Sequence, residues 1–258
     1  MLTVAAEVLG LTQAMLAVGF AVFLRVGAAA ALLPAFGERS VPVRLRLALA
    51  LGFTVITAPA VLPVLPDLGP GAPWGRLVAT EVIAGLALGA GLRLLVLALS
   101  TAGSMAAQAT SLAQIFGGAA ADPAPVIGHV LVISGLALAC MTGLHVRLVE
   151  LFVLSYQVMP AGTFPRPDDL LDWGLFRVGH AFSLAFGLAA PFVIASLVYN
   201  LALGVINRAM PQLMVAFVGA PAITAGALTI LALASPLILE VWMAALGAFL
   251  ADPFGGRP

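Results

Sequence analysis

Reactive side chains are sparse and far apart in this chain of 258 residues. His129, His145 and His180 each stand alone, with no second histidine, cysteine or carboxylate three or four residues away, the spacing that would set two metal ligands on one helix face. Glu150 follows His145 by five residues and would face another side of a helix, so His145 reads as a packed or interfacial residue. The sequence holds no glycine loop for phosphates, no serine at a nucleophile turn and no paired carboxylates in a cleft-forming pattern. Cys140 lies in an apolar run, is expected as a small buried hydrophobe, and has no second cysteine for an intrachain disulfide. These residues give catalysis no footing, and no metal or other cofactor is expected.

Charges inside apolar segments come next, because lipid makes them costly. Arg147 and Glu150 are three residues apart, neighbours on a helix surface, and are expected to form a local ion pair. Glu81 and Arg93 lie twelve residues apart, about 18 Å along a helix, too far to pair within it. Both are expected to snorkel from segment ends rather than to conduct protons or ions.

The elements that must carry these residues follow from composition. Hydrophobic residues make up 62% of the chain and charged ones 9%, with no net charge, which leaves too little polar surface for a soluble domain. The basic residues are all scattered arginines, so binding along a run of phosphates is excluded. Roughly 20 apolar residues span a bilayer core, and six runs qualify: Val8 to Leu33, broken by Arg25; Leu47 to Leu65; Leu77 to Leu99; Val126 to about Leu154; Phe176 to Ile206; and Met210 to Leu239, extendable by Val241 to Leu250. Glu7 precedes the first run with no basic residue before it, unlike a secretory signal, so that segment is expected to be retained. The expected fold class is an all-α integral membrane protein of about six helical segments.

From Leu94 to Ala121 the chain is uncharged, but polar and small residues accumulate: Ser100, Thr101, Ser104, Gln108, Thr110, Ser111 and Gln114, then Ile115-Phe116-Gly117-Gly118, and finally Asp122-Pro123. This stretch is expected as a non-helical central loop, which lipid cannot satisfy and which must be buried in protein or line a wet cavity. The Ile115 to Gly118 run looks like a flexible apolar tip. Arginines bias the loop Pro34 to Arg46 and the tip Asn207-Arg208 toward the cytoplasm, while Pro160 to Arg177, rich in Asp168, Asp169 and Asp172, falls outside with both termini.

Twenty-seven glycines and eighteen prolines point to close, bent helices. Gly85 and Gly89, four apart with Gly91 nearby, mark a helix-packing face. Pro59, Pro63, Pro191, Pro211, Pro221 and Pro236 lie in or near apolar runs and are expected to kink them, giving bent hairpins that suit a multi-chain assembly.

Two stretches carry a family resemblance. Arg39-Ser40-Val41-Pro42-Val43-Arg44-Leu45-Arg46, after Arg25 and Pro34, resembles the first loop of the FliR family of type III export proteins, which occurs in flagella and, as SctT, in injectisomes. Asn200 to Leu213, containing Asn207-Arg208-Ala209-Met210-Pro211-Gln212, is similar to that family's most recognisable segment, followed by Val218-Gly219-Ala220-Pro221. Ala102-Gly103, Gln108, Asp122-Pro123, Gly143, His145 and Pro160 occur between them in the family's order.

The resemblance implies a non-enzymatic export-gate subunit of the inner membrane and flagellar basal body, joined to FliP-like and FliQ-like subunits, through which unfolded proteins pass. It implies a FliP-like part over 1–175 and a FliQ-like hairpin and tail over 176–258. The hairpin tip of Asn207, Arg208, Pro211 and Gln212 would face the cytoplasm near an FlhB-like subunit. The stretch from Gln108 to Ala121, with Thr110, Ser111, Gln114, Ile115, Phe116, Gly117 and Gly118, would supply the plug. Here the chain departs from the family, which usually has Gln-X-Gly where Gln108-Ala109-Thr110 stands and a shorter approach to Asp-Pro. Two other classes remain in view: a stand-alone small-molecule permease, for which the sequence offers no internal repeat, and a membrane enzyme, for which it offers no reactive cluster.

Overall fold

A computed structural model of the chain describes residues 2–37, 41–66, 71–115, 126–210 and 215–255. Every regular element among them is helical: α1 (Leu2–Ala30), α2 (Val43–Val61) running into a 3₁₀ turn (Leu62–Val64), α3 (Trp74–Ile115), α4 (Val126–Met141), α5 (Leu144–Val158), α6 (Pro167–Ala209) and α7 (Val215–Ala251). Four stretches among the described residues are long and apolar enough to cross a membrane: Val43–Val64, Trp74–Thr110, Pro167–Ala209 and Pro221–Ala251. The pair α4 and α5 makes a fifth if it is one broken span, and Met15–Ala30 is a shorter apolar helix. The protein is thus an all-α integral membrane protein.

Local chemistry sets the ends and breaks. The expected fourth segment is divided at Gly143, whose left-handed φ of 86° suits a residue without a side chain and ends one helix just before the next begins. The last expected segment and its extension are one helix instead of two, because Glu240 is exposed on α7 and interrupts nothing. Pro191 in α6 and Pro221 and Pro236 in α7 are carried inside helices. α6 opens on Pro167 with Asp168 and Asp169 in its first turn and closes with Arg208 in its last, charges that suit both ends of the helix dipole.

The chain divides into two compact units. The first comprises residues 1–94, 140–177 and 247–258. In it α1 packs on α2 and α2 on α5, around Leu33, Leu88, Leu148 and Leu151. The rings of Phe36, Phe53 and Phe152 meet edge to face with centroids 6.0 and 6.1 Å apart. The second unit comprises residues 95–139 and 178–246, with Leu99, Leu131, Phe192 and Trp242 buried. The Trp242 indole N–H donates to the Leu95 carbonyl at 2.8 Å.

Glycine contacts explain how closely these helices approach. A side chain at Gly85 would run into the Arg25 carbonyl, and one at Gly89 would lie 2.7 Å from the Ala29 carbonyl, so α3 rests backbone to backbone on α1. Gly103 abuts the backbone of Gly128 in the same way, joining α3 to α4.

Candidate functional site

The polar stretch expected as a loop is helical as far as the structure describes it, since α3 continues without a break through Gln108 to Ile115. The hydroxyls that raised its polarity are used locally. Ser100 donates to the Leu97 carbonyl, Ser104 to that of Ser100 and Thr110 to that of Ala107, each at 2.9 Å. Such back-bonding satisfies the side chain without opening the helix, and Ala102, Ala106, Ala107 and Ala109 favour helix throughout. Gln108 is exposed and Thr110 half-buried. Ser111, Gln114 and Ile115 belong to the last two turns of α3, while Phe116, Gly117 and Gly118 lie outside the described residues.

At the hairpin tip, Asn207 and Arg208 are exposed in the last turn of α6, and the Met210 N–H closes that turn on the Ile206 carbonyl. Pro211 and Gln212 fall outside the described residues, as do Arg39 and Ser40 of the first-loop motif. Pro42 is the N-cap of α2, with extended backbone at φ −54° and ψ 141°, and Arg44 is exposed in the first turn. Gly85 and Gly89 form the close seam on α1 described above.

A buried charge cluster was missed by the sequence reading. Arg25, sealed from solvent in α1, donates through Nε to Glu81 Oε2 at 2.8 Å and through Nη2 to Glu81 Oε1 at 3.0 Å, a two-point grip. Nη2 also donates to the Met159 carbonyl at 2.8 Å, and Nη1 to the Ser155 hydroxyl at 3.0 Å. The Ser155 hydroxyl donates in turn to the Phe152 carbonyl. The guanidinium lies over the Tyr156 ring, 3.6 Å from its centroid. One cation thus ties α1 to α3, to α5 and to the residue following α5. The signal was present in the sequence as one arginine and one glutamate in different apolar runs, each costly unless it met the other.

This cluster overturns the expected snorkelling of Glu81, which is fully buried. The expected Arg147 to Glu150 pair is not made: both are exposed, and Arg147 instead lies toward Gly247. Cys140 is exposed rather than buried, because it falls on the outer face of the last turn of α4. His145 is exposed as well, while Leu144 and Leu148 take the inner face of α5.

A second cluster holds the tail. On α6 the Trp173 indole donates to the Pro253 carbonyl at 2.8 Å. One turn on, Arg177 Nη2 donates to the Pro253 and Gly255 carbonyls, both at 2.8 Å. The same guanidinium lies 4.9 Å from the centroid of the Phe249 ring. The carbonyls left unpaired past the end of α7 find their partners here.

Both clusters are suited to holding helices in register and neither to bond making or breaking. Among the described residues no three histidine, cysteine or carboxylate side chains gather to hold a metal ion.

Residues 16–249 match the family described as bacterial export proteins, family 1. The chain is 35% identical over 227 residues to the flagellar biosynthetic protein FliR of Caulobacter vibrioides, covering 86% of this chain and 89% of that one. It is 31% identical to the protein of the same name in Escherichia coli, with 83% of each chain covered. For that of Bacillus subtilis the identity is 28%, over 78% of this chain and 79% of the relative. A match running through the buried charge cluster, the glycine seam and the long central helix alike leaves one conclusion: the chain belongs to the FliR family of bacterial export proteins.

Proposed function

We propose that this protein is a non-enzymatic subunit of the flagellar protein export channel in the bacterial inner membrane, enclosed there by FliP-like and FliQ-like subunits. An FlhB-like subunit would meet it on the cytoplasmic side, at the tip formed by Asn207, Arg208, Pro211 and Gln212. Unfolded export substrates would pass through the assembly. The flagellar role is favoured over an injectisome one by the relatives, all of which carry the flagellar name.

The observation that carries the reading is the length of the apolar helices. α3, α6 and α7 have 42, 43 and 37 residues. At 1.5 Å per residue they extend about 63, 64 and 56 Å, roughly twice the 30 Å core of a bilayer. Along α6 the side chains of Phe182, Phe186, Leu197, Leu201 and Val205 are 59 to 69% exposed. Lipid covers only part of such a face, so companion chains are needed for the rest. A stand-alone permease offers no such cover.

In this reading the plug comprises the end of α3, with Gln108, Thr110, Ser111, Gln114 and Ile115, together with Phe116, Gly117 and Gly118 beyond it. An apolar tip there would stop ions by excluding water and swing aside for a polypeptide.

Affinity purification of the tagged full-length protein from mild detergent tests the assembly. Stable recovery of FliP-like and FliQ-like chains is expected. Recovery of a monodisperse single chain, with both candidate partners present in the membrane but absent from the eluate, refutes it.

A further inference from the structure

Below the tail clamp, between the end of α5 and the first turns of α6, lies a cavity of about 780 Å³. Its walls include Met159, Leu170, Trp173, Phe176 and, from the tail, Phe254. Arg166, Asp169 and Asp172 also line it, one basic group against two acidic ones. The volume falls within the range of ordinary binding cavities, roughly 300–1,000 Å³, and the composition is theirs too: mostly apolar walls with a few charged groups.

Its position argues against lipid as the occupant. All the carboxylates of α6, on Asp168, Asp169 and Asp172, lie in its first six residues, and Arg177 follows, whereas 178–207 carries no acidic or basic residue apart from His180. The cavity therefore belongs to the charged end of the helix, beyond the stretch best suited to hydrocarbon. Yet Leu171 and Leu175 on that same end are 61% and 64% exposed, and Val158 is 52% exposed. Apolar side chains collected around a cavity at the charged end of a helix mark a protein interface.

The charges select the partner's chemistry. Asp172 is exposed and, among the described residues, its carboxylate has no hydrogen bond or ion pair, while of the two arginines nearby Arg177, on α6, is engaged with the tail carbonyls and Arg166, just before α6, stands exposed. The lining is acidic by one charge, so a basic group is favoured at Asp172 and an acidic one disfavoured. We propose that this cavity receives a polypeptide segment of a partner subunit, which inserts a bulky apolar side chain between Trp173, Phe176 and Phe254 and sets a lysine or arginine against Asp172. The inference rests on the assembly reading above and adds the contact chemistry.

Replacing Leu175 by a benzophenone amino acid in the full-length protein, irradiating native membranes and mapping the adduct by mass spectrometry tests it. The expected product is an adduct to an apolar stretch of a second polypeptide with a lysine or arginine within one helical turn. Asp172→Lys should lower its yield about tenfold with protein accumulation unchanged, and reversing the mapped basic residue to glutamate should restore it. An adduct to lipid alone, a segment without a basic residue, or a yield indifferent to Asp172→Lys overturns the proposal. Recovery of FliP-like and FliQ-like chains from the same membranes separates the two readings. Retained recovery without an adduct overturns the docking proposal alone, and a retained adduct without recovery overturns the assembly reading alone.

Discussion

Arg25 and Glu81 face each other across 56 residues of sequence, 2.8 Å apart and both sealed from solvent. The contact is doubled one turn further along α3, where Gly85 abuts the carbonyl of Arg25 itself. Glu81 holds the guanidinium while Gly85 lets the backbone close in, so side chain and main chain of one residue fix the register of α3 on α1. Slipping α3 by a single residue would bury both charges apart and drive a side chain into the α1 backbone.

Breaking the pair from one side should therefore be worse than removing it. Arg25→Met and Glu81→Leu each leave one charge buried without its partner, costing about 3–5 kcal/mol, and should sharply reduce folded protein in the membrane. The double variant should recover much of the loss. Arg25→Lys should behave like a loss, because one ammonium cannot grip Glu81 at two points and also reach Ser155 and Met159. Detergent-extracted monodisperse yield across the four variants measures this, and strictly additive losses would show the two residues to be uncoupled.

The glycine seam gives a sharper steric contrast. At Gly85 a new methyl meets backbone, which cannot rotate away, whereas Gly52 in α2 has open space around it. Gly85→Ala is expected to lower thermal stability in detergent by about 1–3 kcal/mol, the usual cost of overpacking. Gly52→Ala should be neutral or slightly stabilising, since alanine is the better helix former. Equal melting temperatures for the two would remove the seam from the account.

Much of this architecture was legible from hydropathy, and the parts that were not fail for identifiable reasons. Runs of apolar residues located α1, α2 and the greater part of α6 and α7, because nothing in those stretches competes with burial. The end of α3 read as a loop because Ser100, Ser104 and Thr110 look polar in sequence, though each hydroxyl satisfies itself on its own helix. The break at Gly143 went unseen because it depends on a backbone angle that neighbouring apolar residues conceal. Arg25 and Glu81 were noticed singly but not as a pair, since periodicity reports neighbours within one helix and is silent on partners in different ones. The close approach at Gly85 and Gly89 was legible as a packing face, without the identity of the helix it meets.

The tail clamp should hold the segment that follows α7 in place. Arg177 supplies hydrogen bonds to the Pro253 and Gly255 carbonyls, and Trp173 adds another to Pro253. Arg177→Lys keeps the charge but loses the fork that reaches both carbonyls while lying against Phe249. Losing about 1.5 kcal/mol of charge-assisted hydrogen bonding should raise local opening roughly tenfold. Hydrogen exchange of the amides from Ala251 to Gly255 in the solubilised protein reads that opening directly, and an unchanged rate would show the tail to be held by other contacts.

The plug reading makes the most direct functional prediction. α3 runs to Ile115, so removing Gln114 to Gly118 takes away the last two residues of that helix and the apolar run beyond them while leaving Ser100, Ser104 and Gln108 on intact turns. The seam of Gly103 on Gly128 and the donation of Trp242 to the Leu95 carbonyl involve none of the deleted residues and should hold the second unit together. Assembly is therefore expected to survive. What should change is the resting barrier: without an apolar tip to exclude water, ions cross a conduit that is otherwise wide enough for a polypeptide. Membrane conductance measured in cells or liposomes containing the whole export complex should rise, and replacing Phe116 by serine should give a smaller increase in the same direction. Normal assembly with conductance unchanged in both variants would move the barrier away from this segment.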